Sequence, residues 1–305
     1  MPRVVVLGSL NMDLVVRTER MPRPGETVQG SGFRTIPGGK GANQAAAAAR
    51  LGAHVEMVGR VGDDGFGGEL LANLASQGVG ASTVRRDPGA ATGTATIVVD
   101  GRGENAIVID PGANGRVSLD DLRAAESLIA DSRALMLQFE VPLPIVEAAI
   151  HLAADKGVPV FLNPAPAAPV DAAFLAGVSC LIVNETEAET LSGQAVDDVA
   201  SAEDAARALH TMGPPVVIVT LGEQGALLLH DDAALHLPTR QVEVVDTTAA
   251  GDAFCGALVT ARLRGMDWPN SVRYANCAGT LATTVLGAQT SLPSAQAVAR
   301  FFEEV

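Results

Sequence analysis

From His54 onward the chain alternates short apolar runs with helical stretches, and this rhythm constrains the fold more than any single motif. His54 to Val61 precedes Gly65 to Gln77, and Ala134 to Gln138 precedes Pro142 to Lys156. Val158 to Leu162 follows, then Leu181 to Val183 before Glu185 to Leu191, and Ser201 to Met212 before Val216 to Leu221. Apolar runs of this kind suit strands buried on both faces, and helical crossovers between parallel strands put helices on both sides of the sheet. The expectation is an α/β fold, a doubly wound, mainly parallel sheet flanked by helices. Val4 to Leu7 reads as one more buried strand, and helices are expected over Ala250 to Arg264, Trp268 to Leu286 and Ser294 to Phe302. Aromatic residues make up only 3% of the chain, so the core must be built from Ala, Val and Leu.

Four segments break the rhythm. Met12 to Arg17 and Thr27 to Ile36 look like strands separated by the turn Pro22-Arg23-Pro24-Gly25, while Gly93 to Val99 and Glu104 to Ile109 form a hairpin around Asp100-Gly101-Arg102-Gly103. They predict a small β-sheet lid, approximately residues 12–36 and 93–110, inserted in one domain spanning residues 1–305 and standing over the strand ends. Its strands are expected to expose Val15, Val28, Ile97 and Val99 on a sheet too small to stand alone, and a partner subunit is expected to cover them.

A net charge of −14 argues against a nucleic-acid partner, because phosphate backbones need a basic face; a small ligand fits better. Cys180, Cys255 and Cys277 show neither CxxC nor Cys/His spacing, which favours buried free thiols in a reducing compartment. The opening MPRVVVLGSLNMD has too short an apolar run for a signal peptide, and no apolar stretch is long enough to span a bilayer, so the expected location is the cytoplasm.

The chemistry concentrates in VEVVDTTAAGDAF, Val242 to Phe254. Val242, Val244 and Val245 suit a strand, and the small-residue turn after it feeds a helix N-terminus near Asp252. The amides of Ala249, Ala250 and Gly251 would point from the first turn unpaired, forming an anion hole, with Asp252 held ionised by the helix dipole as a proton acceptor. From this segment alone an acidic cap without chemistry is the better fit to that residue, since acids in first turns complement the dipole anyway. In Gly38-Gly39-Lys40-Gly41-Ala42-Asn43, before the helix Gln44 to Leu51, glycines admit a ligand to the backbone while Lys40 and Asn43 can donate to hydroxyls or phosphate. This is no Walker A loop, because Arg34 stands at its first glycine and Gly41 where Ser or Thr should follow the lysine. Gly8 to Asp13 is no dinucleotide fingerprint, because Leu10 takes the second glycine's place; Asn11 and Asp13 either face a crevice or make an ordinary turn. Other strands end in Glu140, Asn163, Asn184 with Glu187, and Thr220 with Gly222, all candidates for one crevice.

On GSLNMD at Gly8 to Asp13, GGKGANQA at Gly38 to Ala45, NETE at Asn184 to Glu187, TLGEQG at Thr220 to Gly225 and DTTAAGD at Asp246 to Asp252, the chain resembles the ribokinases of the wider sugar kinase family, which includes fructokinases and adenosine kinases. Ala249 replaces the first glycine of the common DTxGAGD signature, as it commonly does in ribokinases. The resemblance implies Mg²⁺-dependent transfer of the γ-phosphoryl of ATP to the 5-hydroxyl of ribose, with Asp252 as base and Ala249, Ala250 and Gly251 as anion hole. It further implies that Asn11, Met12, Asp13, Gly39, Lys40, Gly41, Asn43 and Glu140 bind the sugar. Asn184, Thr220, Leu221, Gly222, Glu223, Gln224, Gly225, Gly251 and Asn276 would lie at the nucleotide, and Glu187 would hold magnesium through water. Potassium is implied between Asp246 with Thr248 and the loop Gly287 to Ser291, its ligands being Asp246, Thr248, Ala282, Val285, Gly287 and Ser291. From the residues alone, the final carbonyls near Ala282 and Val285 lack intrahelical partners, while Asp246 could instead merely cap its turn. A homodimer through the lid is also implied. The alternatives are a same-fold kinase acting on a nucleoside, deoxyribose or fructose, and a sugar-binding protein without catalysis.

Overall fold

Alternate residues of each core strand belong to opposite faces of one sheet. Val4 and Val6 pack with Ala134, Met136, Ile182 and Ile218 on one side, while Val5 and Leu7 pack with Leu135, Leu137, Val183 and Val219 on the other. Both sets are buried, so the period-2 pattern of side-chain direction is invisible as polarity and reads as continuous apolar runs. A computed structural model, describing residues 3–303, gives the arrangement.

The strands in chain order are β1 (Arg3–Leu7), β2 (Asn11–Thr18), β3 (Gly30–Gly38), β4 (His54–Gly62), β5 (Val79–Asp87), β6 (Gly93–Val99) and β7 (Asn105–Asp110). They continue as β8 (Ala134–Gln138), β9 (Val160–Asn163), β10 (Cys180–Asn184), β11 (Val216–Thr220), β12 (Ala226–His230) and β13 (Ala233–Leu237). Nine of them form one sheet in the order β13-β12-β11-β10-β9-β8-β1-β4-β5. Pairing is parallel from β11 through β5 and antiparallel only at β12 and β13. The chain leaves β1 toward β4 on one side and later returns to β8 on the other, and such a reversal opens a crevice at the strands' carboxyl ends. The remaining four strands make a separate sheet, β3-β2-β6-β7, with β2 and β6 parallel. The apolar residues most exposed on that sheet are Phe33 on β3 and Ile107, Val108 and Ile109 on β7, its two edges. Val15, Ile97 and Val99, expected outside, are only half-exposed, because they lie on the two central strands, which flank one another; Val28, also half-exposed, precedes β3 and is on no strand.

Three expectations need correction. Val242 to Val245 is not a strand: β13 already occupies that edge of the sheet, and the segment runs as irregular chain with Val245 and Asp246 both donating to the Thr283 carbonyl at 2.8 and 3.1 Å. Its alternating valines serve a cavity wall instead. The helix from Trp268 ends at Ala282, not Leu286, and the Ala282 carbonyl accepts from Val285 at 3.4 Å, so it is not without a partner. The loop after it contains a short helical turn, Ala288–Ser291. Strands β5, β12 and β13 are additions to the sequence reading.

The helices Lys40–Arg50 and Ala250–Leu263 cover the same face of the sheet and cross in close contact. A Cβ built on Gly256 would lie 2.6 Å from the Ala47 Cβ, 2.8 Å from the Ala48 amide nitrogen and 3.0 Å from the Gln44 carbonyl. The crossing point is therefore set by backbone, which cannot swing aside. Gly256→Ala should destabilise the protein by about 1–3 kcal/mol, the usual range for overpacking, even though alanine favours helix. Urea denaturation measures this, and a midpoint equal to or above that of the parent chain would contradict the crossing described.

Candidate active site

The Gly38-Gly39-Lys40-Gly41 stretch lies against the end of β1. Gly39 has φ +90° and a Cβ there would meet the Asn11 amide nitrogen at 2.7 Å, while one on Gly41 would meet the Ser9 nitrogen at 2.6 Å. Two motifs separated in sequence thus form one wall, and glycine is what lets their backbones touch. Glu140, just past β8, locks them: its Oε2 accepts from the Ser9 hydroxyl at 2.5 Å and the Lys40 amide at 3.0 Å. Asn114 clamps the turn from the other side, donating to the Leu10 carbonyl and the Asn11 Oδ1 and accepting from the Leu10 amide. Met12 is fully buried, so only its backbone can face a ligand.

Asp252 lies in the first turn of its helix, 7% exposed, with both carboxylate oxygens occupied. Asn43 donates to Oδ2 at 3.0 Å and Gln44 to Oδ1 at 3.1 Å. Burial pushes its pKa up, against the pull of Lys40 and these two amides, with Glu140 adding to the rise. The helix dipole therefore does not hold it low as expected; desolvation wins. Asp13 is raised to about 7 by burial and by Glu140 and Asp252 nearby. Lys40 is itself mostly buried, which disfavours its charge, yet Asp252, Glu140 and Glu187 outweigh that and hold it cationic. One ammonium is thus shared by several carboxylates.

Ala249 adopts a left-handed conformation, φ 60° and ψ 11°, and turns the chain into the helix. The Ala250 amide donates to the Thr247 carbonyl at 3.2 Å, so it is not free as expected; among the described residues no backbone acceptor faces the amides of Ala249 and Gly251. Both residues line a cavity of about 200 Å³ with Lys40, Asn163, Asn184, Glu187, Asp252 and Cys255. Thr220, Thr247 and Gly251 are shared with a second cavity of about 470 Å³, so the two spaces adjoin. Gly222, Glu223, Gly225 and Asn276 line the larger one, as do Val242, Val244, Phe254, Gly279 and Thr283. Leu221 is buried beneath it, and neither Gln224 nor Asn184 reaches it.

Glu187 closes a capping box on Asn184, accepting from its backbone and side-chain amides at 3.0 and 3.1 Å, and also from Asn163 at 3.2 Å. With both oxygens engaged, it fits an ion held through water better than one in direct contact. Burial pushes its pKa up, with the Asn184 amide and Lys40 opposing. Asp246 accepts from the Thr248 amide and hydroxyl at 2.9 and 2.6 Å and from the Gly287 amide at 2.8 Å. It does cap its turn, and it also joins that turn to the loop expected to face it. These bonds lower its pKa despite partial burial. Ser291 donates to the Ala288 carbonyl.

Sequence reasoning missed Gln44, Gln138, Asn114 and the cavity wall Thr239 to Val244. Gln138 carried a signal, a polar residue closing an apolar strand. Gln44 carried only its place next to Asn43.

Residues 1–295 match the pfkB family of carbohydrate kinases. The chain is 39% identical over 300 residues to a ribokinase of Haemophilus influenzae, covering 98% of each, and 39% identical over 293 residues to a deoxyribokinase of Salmonella typhi, covering 95% of each. The solved structure of Arabidopsis thaliana ribokinase complexed with ribose and ATP superposes with a TM-score of 0.91 at 32% identity, covering 99% of both chains. With the fold, the adjoining cavities and these likenesses, the chain belongs to the pfkB family of carbohydrate kinases.

Proposed function

We propose that this chain phosphorylates D-ribose at its 5-hydroxyl, taking the γ-phosphoryl of ATP. The observation that carries the reading is Asp252, a buried carboxylate at the mouth of a helix where a nucleotide-sized cavity meets a smaller polar one. Asp252 accepts the proton of the hydroxyl, the oxygen attacks the γ-phosphorus, and the bond to the bridging oxygen breaks to release ADP. The amides of Ala249 and Gly251 receive the charge on the transferred oxygens. Lys40, kept charged by the carboxylates around it, adds a cation beside them. Asn11, Asp13, Gly39, Lys40, Asn43 and Glu140 hold the sugar, the Met12 and Gly41 backbones closing its wall. Asn276 with Thr220, Gly222, Glu223 and Gly225 holds the nucleotide in the larger cavity, Leu221 and Gln224 shaping that turn, and Asn184 faces its phosphates from the smaller one. Glu187 would hold Mg²⁺ through water, and the ion would supply positive charge to offset that of the phosphates.

The small sheet is read as a lid on a single domain of residues 1–305, and its edges as the contact between two copies of the chain. Phe33, Ile107, Val108 and Ile109 are too much apolar surface for strands with unpaired edges in water, and a second copy covering them removes both defects. Location in the cytoplasm accords with three buried free cysteines, and among the described residues no helix is long and apolar enough to cross a membrane.

A coupled assay of ADP release tests the reaction. Ribose should be turned over with higher kcat/KM than 2-deoxyribose, fructose or a nucleoside; the opposite order would reassign the acceptor, and ribose binding without ADP release would return the non-catalytic reading. In the same assay Asp252→Asn should lose roughly 10²- to 10⁴-fold in kcat while still binding ATP, the range for a general base. Near-normal turnover by the folded variant refutes the base assignment.

Potassium is proposed at Asp246, Thr248, Ala282, Val285, Gly287 and Ser291. A carboxylate that bridges the anion-hole turn to a facing loop is suited to a weakly hydrated cation, whose effect is to fix that turn. Added potassium chloride should raise kcat over sodium- and potassium-free buffer at matched ionic strength. Equal rates would leave Asp246 as a cap alone. For the lid, light scattering at micromolar concentration should give twice the chain mass, and Val108→Asp together with Phe33→Asp should halve it; a monomeric parent chain would exclude the lid contact.

A further inference from the structure

Asp252 is held by an amide that has no place in the reaction itself. Gln44 sits on the Lys40–Arg50 helix, 1% exposed, and both of its N–H donors and its carboxamide oxygen are engaged with protein. Its Nε2 donates to Asp252 Oδ1 and to Asn163 Oδ1, both at 3.1 Å, and its Oε1 accepts from Gln138 Nε2 at 2.7 Å. Asn163 in turn donates to Glu187 Oε2 at 3.2 Å and to the Ile182 carbonyl at 3.1 Å.

The polarity of this relay is fixed from its ends. A carboxylate can only accept, so Gln44 must turn its nitrogen to Asp252 and its oxygen to Gln138, and Asn163 must turn its nitrogen to Glu187. A flipped Gln44 would set a carbonyl oxygen against the carboxylate and leave two buried dipoles opposed. Gln138 has little room to adjust: it is fully buried at the end of β8, and a Cβ on Gly8 would lie 2.1 Å from its Oε1. Two strand ends, β8 and β9, and the starts of three helices therefore share one hydrogen-bond chain, running from β8 to the base and branching to the carboxylate of the nucleotide side.

We propose that Gln44 is a positioning residue: it fixes the rotamer of the Asp252 carboxylate and ties it, through Asn163, to Glu187, so that the two acidic groups flanking the transferred phosphoryl keep one mutual geometry. This rests on the assignment of Asp252 as base. An amide suits the task because it donates without taking up the proton that Asp252 receives, and that proton can occupy a remaining lone pair with both amide bonds intact. The other charged groups facing Asp252 are Lys40 at the start of the Gln44 helix, Asp13 on β2, Glu140 just past β8, and Glu187; the Cys255 thiol, pushed well up by burial, stays neutral. None of these donates to Oδ1, so nothing replaces Gln44 when it is removed.

The test is a mutant cycle, read as kcat and KM for ribose and MgATP. Gln44→Met, near in volume and without donors, should lower kcat about 10- to 100-fold, the usual cost of removing a supporting hydrogen bond to a functional group, with KM for ATP changed less than about twofold. In the Asp252→Asn background the same substitution should change the residual rate less than about twofold. An undiminished kcat for folded Gln44→Met, or an equal factor lost in both backgrounds, overturns the proposal, since the latter is what a packing role gives. If Gln44→Met does not fold, Gln138→Met carries the test: it leaves every atom touching Asp252 in place, should lower kcat in the same direction by a smaller factor, and overturns the proposal if kcat is unchanged. Wild-type turnover by Asp252→Asn would instead refute the base assignment, a separate result read without touching Gln44, and the proposal would fall with it.

Discussion

The close crossing of the Lys40–Arg50 and Ala250–Leu263 helices is the contact on which the site depends. Gly256 against Ala47 lets the axes approach until backbone meets backbone, and only at that separation can the short side chain of Asn43 and the longer one of Gln44 both reach the Asp252 carboxylate. The run Ala45 to Ala49 has its reason here. Larger residues would bury more apolar area per helix, yet they would hold the helices apart and leave Asp252 buried with unsatisfied oxygens, a worse outcome than a thinner core. The low aromatic content follows from the same geometry, since small side chains are what let helices lie close on the sheet.

Around that crossing the sheet supplies the rest by topology. Because β1 is flanked by β4 on one side and β8 on the other, the carboxyl ends of β1, β8, β9, β10 and β11 deliver Ser9, Gln138, Asn163, Asn184 and Thr220 to one rim. Gln138, Asn163 and Asn184 are joined through Gln44 and Glu187, while Ser9 binds Glu140 and Thr220 the Val183 carbonyl; among the described residues, the buried side-chain atoms near the site left without a partner are the Asn43 and Gln138 carboxamide oxygens. Turning over any one of the linked amides would oppose two buried dipoles at once, which favours a single arrangement of the rim.

The sequence made the parallel sheet legible because strands buried on both faces read as unbroken apolar runs, and Val4 to Leu7 or Val216 to Thr220 have no other explanation. The hairpin Gly93 to Asp110 was equally plain from its Asp-Gly-Arg-Gly turn. Val242 to Val245 misled for a physical reason: alternation reports which residues face an apolar surface, and here that surface is a cavity, not a neighbouring strand. The motif residues of the site were readable singly, as polar groups at strand ends. What could not be read was who holds whom. The pairing of Gln44 with Asp252 and Gln138 spans three elements brought together by tertiary packing, and nothing in the spacing of Gln44 distinguishes it from the alanines that follow. The freedom of the Ala250 amide was misjudged for a related reason: a left-handed residue at Ala249 tightens the turn and gives that amide the Thr247 carbonyl.

The acidic lining described around Lys40 has a consequence for what leaves the site. Glu140, Asp252 and Glu187 all act on the one Lys40 ammonium, and Asp13, raised to about 7, stands beside two of them, so the carboxyl groups outnumber the cation. An uncharged polyol meets no net force there and is retained by hydrogen bonds alone. A phosphate ester of the same polyol carries close to two negative charges, and in a partly buried site each nearby carboxylate opposes it by an amount on the order of a kcal/mol or more. The lining thus holds the phosphate ester less firmly than the polyol, a difference in retention that a site built from neutral amides and hydroxyls alone would lack.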